Sequence, residues 1–174
     1  DWGPKTDAAQ SAFVARGDAI AAAEGAVDSR SDGNLRVLHP NLQILGRRMI
    51  RMLVGKGVDA RVLSGTRSYS QQDALFRQGR FGNAGRIVTK ARGGQSNHNF
   101  CIAFDIGIFR GGQYLGNENQ PYVDAAGLVK ANIPGLSWGG DWKSLKDDPH
   151  WELPTGLKIS DVRTRFEGGT SVVT

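Results

Sequence analysis

The segment Ser96-Asn97-His98-Asn99-Phe100-Cys101-Ile102-Ala103-Phe104-Asp105 constrains this chain more than any other. From Ile102 onward the side chains alternate, with Ile102, Phe104, Ile106 and Ile108 on one face and Ala103, Asp105 and Gly107 on the other. That period of two predicts a strand with Asp105 near its middle. His98 lies seven residues earlier. Fully extended chain of that length spans roughly 23 Å, and the odd separation turns the two side chains to opposite faces. If both serve one site, the backbone must bend or bulge between Asn99 and Cys101. Otherwise His98 is an exposed loop residue and Asp105 an unrelated strand aspartate.

A second segment, Asp147-Asp148-Pro149-His150-Trp151, follows Trp138-Gly139-Gly140-Asp141-Trp142 in a turn-rich region, and Pro149 biases its predecessor away from helix. The chain has three histidines, and two of them fall in these two segments. Together the segments supply two imidazoles, a carboxylate and a spare acid, a donor set suited to a catalytic metal site with one position left for water. The spare acid is not fixed by spacing. Glu152 shares a strand face with His150, whereas Asp147 reaches that face only if Pro149 kinks the chain. The third histidine, His39, precedes Pro40 and is expected to open a helix without binding metal.

The pattern Ser-x-His-x-x-Gly-x-Ala-x-Asp, followed by an acid three residues before a His-aromatic pair, resembles the zinc D-Ala-D-Ala carboxypeptidase and L-alanyl-D-glutamate endopeptidase family. Here it reads Ser96, His98, Ala103, Asp105, Asp147, His150 and Trp151, and the family element Ser-Gly-x-Arg-Ser reads Ser64-Gly65-Thr66-Arg67-Ser68. The likeness runs from about Leu38 to Leu153. It implies that His98, Asp105 and His150 bind Zn2+, that Asp147 moves the proton of the bound water, and that Arg67 hydrogen-bonds an oxyanion or a substrate carboxylate. Glu152 stands in reserve as the base. The family glycine is Cys101 here, which puts the local backbone in question. As the sole cysteine it forms no internal disulfide, and a small buried apolar role is expected over a thiolate ligand or an oxidation target.

The implied activity is hydrolysis of a peptide bond in peptidoglycan stem peptides, as an endopeptidase of the phage-endolysin type, acting outside the cytoplasm in the periplasm, the wall or a target cell's wall. A D,D-carboxypeptidase of the same family and a noncatalytic zinc-containing binding domain are the alternatives. A net charge of +5 suits anionic surroundings, but the basic residues are scattered and not interleaved with aromatics, so a wall polymer is expected and nucleic acid is not. No apolar run approaches the 18 residues a membrane span requires. A monomer is expected.

Alanine-rich residues 7–27 predict a helix capped by Thr6 or Asp7, and its opening, Trp2 to Ala9, resembles the end of a peptidoglycan-binding repeat but also reads as an ordinary capped helix, the reading preferred. Residues 28–34 are polar and read as a linker, which divides the chain into residues 1–34 and a zinc peptidase domain at 35–174. Leu38, Leu42, Leu45, Met49, Met52 and Leu53 recur at helical spacing, and Val58 to Leu63 follows as a strand. Ser70 is expected to cap a helix to about Gln78, glycine-rich 79–94 to form a long loop walling a cleft, and 122–132 to be helical. The tail from Pro154 is expected to be a strand or disordered. The whole predicts an α+β domain, helices on a small, mostly antiparallel sheet with the zinc site in a surface cleft.

Overall fold

The computed structural model describes residues 4–116 and 118–173, so Trp2 and Gly3 of the repeat-like opening lie outside the described residues. Its strands are β1 (Asp59–Ser64), β2 (Ala103–Arg110), β3 (Gln113–Tyr114), β4 (Ser137–Trp138) and β5 (His150–Glu152). They pair antiparallel in the order β1-β2-β5-β4, and β3 forms a hairpin with β2. Around the sheet lie α1 (Pro4–Glu24), α2 (Ser29–Leu35), α3 (Pro40–Gly55), α4 (Tyr69–Arg77), α5 (Gln120–Asn132) and α6 (Ile159–Glu167). The expected α+β architecture is therefore the observed one.

The amphipathic stripe of α3 buries Leu42, Met49, Ile50 and Leu53 against a core that includes Val62, Phe104 and Ile106. Each such side chain contributes about 1.5–3 kcal/mol through its removal from water, so this layer dominates the stabilisation of the sheet. His39 caps α3, its Nδ1 accepting from the Asn41 amide at 3.2 Å, as a helix-opening residue should.

Several local expectations are corrected. Residues 28–34 are no linker: Asp28 caps α2 by accepting from Ser31 N at 3.0 Å, and Leu35 is fully buried. The polar residues that suggested a loop satisfy the free edge of β1, because Ser31 Oγ accepts from Val62 N at 2.8 Å and Asn34 Nδ2 donates to Val62 O at 3.0 Å. Helix α1 begins at Pro4, so Thr6 and Asp7 lie within its first turn. Ser68 caps α4 in place of Ser70, since Gln71 reciprocates: Gln71 N donates to Ser68 Oγ at 3.1 Å and Ser68 N to Gln71 Oε1 at 2.7 Å. The tail contains a helix, α6, that buries Val162 and Phe166, with the Phe166 ring 5.5 Å from that of Phe100.

The bend required between His98 and Asp105 is present. Asn97–Phe100 form a 3-10 turn, and Cys101 ends it at φ 60°, ψ 20°, in the left-handed region. That region is where a glycine costs nothing and an L side chain does, which explains a glycine at this point of the pattern. Cys101 is fully buried and its thiol is pushed up to about 11 by burial, so it serves as a small apolar core residue. A β-branched side chain would add strain at this φ: Cys101→Val is expected to lose about 2 kcal/mol or more of stability, while Cys101→Gly stays within about 1 kcal/mol. Urea unfolding of the two variants checks the order.

Candidate active site

Sheet register builds the site. Asp105 pairs with Ser64 of β1 on one side and with His150 of β5 on the other, so the three residues form a row across three strands. Directly paired side chains lie on one face with Cβ atoms about 4.5–5.5 Å apart. A bulge between Val62 and Ser64 shifts the β1 register so that Ser64 meets Asp105. The neighbouring pair, Phe104 and Trp151, points the other way into the core.

The turn ending at Cys101 folds His98 back over this row. His98 Nε2 lies 3.2 Å from His150 Nδ1 and 3.2 Å from Asp105 Oδ1, and His150 Nδ1 is 3.3 Å from Asp105 Oδ1. The remaining nitrogens are engaged. His98 Nδ1 is 2.7 Å from Gly65 O and His150 Nε2 is 2.8 Å from Glu152 Oε2, both pure acceptors, so each of these nitrogens carries the proton. Two lone-pair nitrogens and a carboxylate oxygen are left facing one point. An ion with four tetrahedral bonds of about 2.0–2.1 Å has ligand atoms roughly 3.3–3.4 Å apart, and the observed triangle fits. His98, Asp105 and His150 therefore form a group able to hold a metal ion, and the groups behind each ligand fix its orientation.

Arg67 stands behind Asp105. Its Nη2 donates to Asp105 Oδ2, the oxygen turned away from the histidines, and its Nε and Nη2 donate to Ser64 Oγ at 3.1 and 2.9 Å. Arg67 also borders the cleft, so a guanidinium expected only to meet substrate orients Asp105 as well. The cleft, about 390 Å³, is lined by Arg67, His98, Asp105, Asp147 and His150 together with Trp142 and, from the 79–94 loop, Val88 and Thr89. The Trp142 ring lies 4.9 Å from that of His150.

The two spare acids separate in space. Asp147 borders the cleft, reached through a turn in which Asp147 N donates to Gly139 O at 3.2 Å and His150 N to Asp147 O at 3.1 Å. Glu152 sits behind His150 and also accepts from Asn97 Nδ2 at 2.8 Å. Burial, with the nearby Asp105 charge, raises the Asp147 carboxyl above its ordinary 3.8, and the two histidines and Arg67 only partly offset this. Burial resists ionisation of Glu152 too, but its bonds to His150 and Asn97 outweigh that and lower it. Burial likewise opposes ionisation of Asp105, yet His98, His150 and Arg67 hold it well below 3.8.

Three supporting residues were not foreseen. Asn99 is buried, accepts from Gly94 N at 3.0 Å and donates to Arg67 O at 2.9 Å, tying the histidine turn to the arginine loop. Gln72 is buried between Arg67 Nη1 at 3.5 Å and Ala91 O at 3.0 Å. At Gly139 any Cβ would meet Asp147 O at 2.5 Å and His150 Cβ at 2.9 Å. Asn99, one residue past His98, could have been suspected from its place inside the motif. Gln72 and Gly139 carry no local signal.

An acid-lined cleft with three converging metal donors and a buried carboxylate beside them defines a metallohydrolase class of site. A sequence profile of the peptidase M15 family, described as D-alanyl-D-alanine carboxypeptidase, matches residues 89–153. The peptidoglycan L-alanyl-D-glutamate endopeptidase CwlK of Bacillus subtilis (strain 168) is 36% identical over 125 residues, covering 67% of this chain and 73% of CwlK. The L-alanyl-D-glutamate peptidase of Listeria phage A118 is 26% identical over 130 residues, 72% of this chain and 41% of the phage protein. The crystal structure of Serratia marcescens L-Ala D-Glu endopeptidase ChiX superposes with a TM-score of 0.58 at 29% identity, covering 76% of this chain and 92% of ChiX. The chain belongs to the M15 peptidase family, whose members are generally zinc enzymes, and is a metallopeptidase.

The metal-free site has a titration signature. Burial alone would depress His150, but hydrogen bonds to Asp105 and Glu152 outweigh it and raise its pKa to about 9. At neutral pH a proton on His150 therefore occupies the lone pair a metal needs. Apparent zinc affinity is expected to rise with pH, by about tenfold per unit, up to that pKa of about 9. Competition titration against a chelating dye from pH 6 to 9 measures it, and a flat profile contradicts it.

Proposed function

We propose that this protein is a zinc-dependent endopeptidase that hydrolyses the L-alanyl-D-glutamate bond of peptidoglycan stem peptides, acting outside the cytoplasm on cell wall. The observation that carries this reading is the triangle of His98 Nε2, Asp105 Oδ1 and His150 Nδ1 beside the cleft-facing Asp147. The substrate follows from the relatives: CwlK, the phage A118 peptidase and ChiX are all named for cleavage between L-Ala and D-Glu. A carboxypeptidase reading has only the profile description over residues 89–153 behind it. Among the described residues no helix is long and apolar enough to cross a membrane.

Bound at His98, Asp105 and His150, zinc would supply an acidified water and a Lewis acid for the scissile carbonyl. The residues do the rest. Asp147 accepts a proton as the water oxygen forms its bond to the carbonyl carbon, and returns it to the nitrogen as the C–N bond breaks, leaving a carboxylic acid and an amine that become carboxylate and ammonium when the second water proton passes from one to the other. Arg67 holds Asp105 in its ligating orientation, and the Nη1 N–H not directed at Gln72 is the donor left for a substrate oxygen. Glu152 keeps the Nε2 proton on His150 and so leaves Nδ1 free. Trp142 covers one side of His150 and limits water there.

These assignments separate the two acids. Asp147→Asn is expected to lower kcat/KM on muropeptides by roughly 10²–10⁴-fold with zinc still bound at one per chain. Glu152→Gln is expected to weaken zinc binding about 10–100-fold yet turn over when fully loaded. Mass spectrometry of released fragments and metal analysis read both, and the reverse pattern would assign the base to Glu152. Because Asp147 must start ionised, wild-type kcat/KM measured at saturating zinc is expected to fall as acid protonates this carboxylate, a limb absent from the residual activity of Asp147→Asn under the same conditions.

A further inference from the structure

The chain's excess of positive charge lies in one segment, the end of α4 and the loop that borders the cleft. Lys and Arg number 22 and Asp and Glu 17 in the whole chain. Residues 74–95 contain five cations, Arg77, Arg80, Arg86, Lys90 and Arg92, and no acid, so the rest of the chain balances at 17 of each sign. The entire formal charge of +5 thus belongs to the end of α4 and the 79–94 loop. This loop supplies Val88 and Thr89 to the cleft that contains His98, Asp105, Asp147 and His150.

The loop is anchored to α4. Arg80 Nη1 donates to Phe76 O at 2.6 Å and Thr89 O at 3.0 Å, Gln72 Nε2 donates to Ala91 O at 3.0 Å, and Gly93 N donates to Asp73 Oδ1 at 2.8 Å. Arg80 and Arg92 also stack on the Phe76 ring, at 4.3 and 4.7 Å from its centroid. Arg80 is thereby spent on holding the loop, whereas Arg86 and Lys90 are exposed on either side of the cleft-lining Val88 and Thr89. A one-signed wall fixed beside a cleft concentrates and orients ligands of the opposite sign.

We infer that this wall selects stem peptides whose carboxylates are free over those whose carboxylates are amidated, with Arg86 and Lys90 as specificity-determining residues. The inference rests on the endopeptidase reading and deepens it. A glutamyl residue on the leaving side of the cleaved bond brings a carboxylate within the same cleft, and further acidic residues of a stem peptide would run along the loop. Amidation removes that charge and keeps the shape, so it isolates the electrostatic contribution.

The test uses the full zinc-loaded chain and two synthetic stem peptides containing L-Ala-D-Glu, identical except that side and terminal carboxylates are free in one and amidated in the other. Wild-type kcat/KM is expected to favour the free acid by roughly tenfold at low salt, with the ratio shrinking as salt is added. In the Arg86→Gln/Lys90→Gln double variant the ratio should fall toward one, the loss appearing in KM. A wild-type ratio near one, or a ratio unchanged in the variant, overturns the inference. So does a variant that keeps the ratio but no longer sediments with phosphatidylglycerol vesicles, which would assign the loop to a membrane surface through its exposed Phe81 and Ile87. Calorimetric binding of the two peptides to Asp147→Asn reads the same preference without turnover. If neither peptide is cleaved by wild type, the endopeptidase reading fails while binding still decides the loop.

Discussion

Three acceptor atoms held 3.2–3.3 Å apart, two imidazole nitrogens and a carboxylate oxygen, repel one another unless a cation or a proton stands between them. Everything around them works to keep them there. Gly65 O and the Glu152 carboxylate occupy the far nitrogen of each imidazole, and Arg67 occupies the far oxygen of Asp105. Each of these contacts removes an escape by which a ligand could turn its lone pair elsewhere. Without a metal the strain is relieved by a proton on His150, whose pKa is raised accordingly. The site is thus poised to exchange a proton for a metal ion, and the surrounding fold supplies the rigidity that makes the exchange specific.

That rigidity has a simple source. The row Ser64, Asp105, His150 is set by hydrogen-bonded register across three strands, and its reverse side, Phe104 and Trp151, is fully packed. Slipping either strand by one residue would send ligands into the core and aromatics into the cleft, a change the buried area forbids. His98 is the exception, because it comes from a turn and not from the sheet. Its position depends on the left-handed Cys101 and on Asn99, which fastens the turn to the arginine loop. The residue that the sheet does not place is therefore held by the conformation and side-chain bonds of its turn.

The legibility of this arrangement from sequence follows the range of the interactions. The three residues that converge could be singled out through the family pattern they resemble, and the need for a bend before Asp105 from the mismatch between a seven-residue spacing and a period of two. The different placement of Asp147, bordering the cleft, and Glu152, behind His150, could not be read in this way. It depends on β5 running straight through Glu152 while the chain turns back over Gly139, and a glycine tolerated for close approach looks like any other turn glycine. Helix α2 was misread for a related reason. Its serine and asparagine are the residues of a loop, and they are used as such, to satisfy backbone groups, but those groups belong to β1, some thirty residues away. Helix α6 has two buried apolar residues, too few to announce a period.

The distribution of charge completes the division of labour. Outside residues 74–95 the chain is electrically balanced, and its buried ion pairs serve structure: Asp32 of α2 joins Arg36 to the fully buried Arg47 of α3. Burying an arginine for this purpose yields little net stability, since desolvation opposes the attraction. It does fix α2 against α3, and through Asn34 and Gly65 it fixes the carbonyl that orients His98, because any Cβ at Gly65 would meet Asn34 O at 2.6 Å. The unbalanced cations, by contrast, stand on a loop that contributes little to the core and much to the cleft. Paired charges on the inside position the ligands, and unpaired charges on the rim are left free to act on whatever enters.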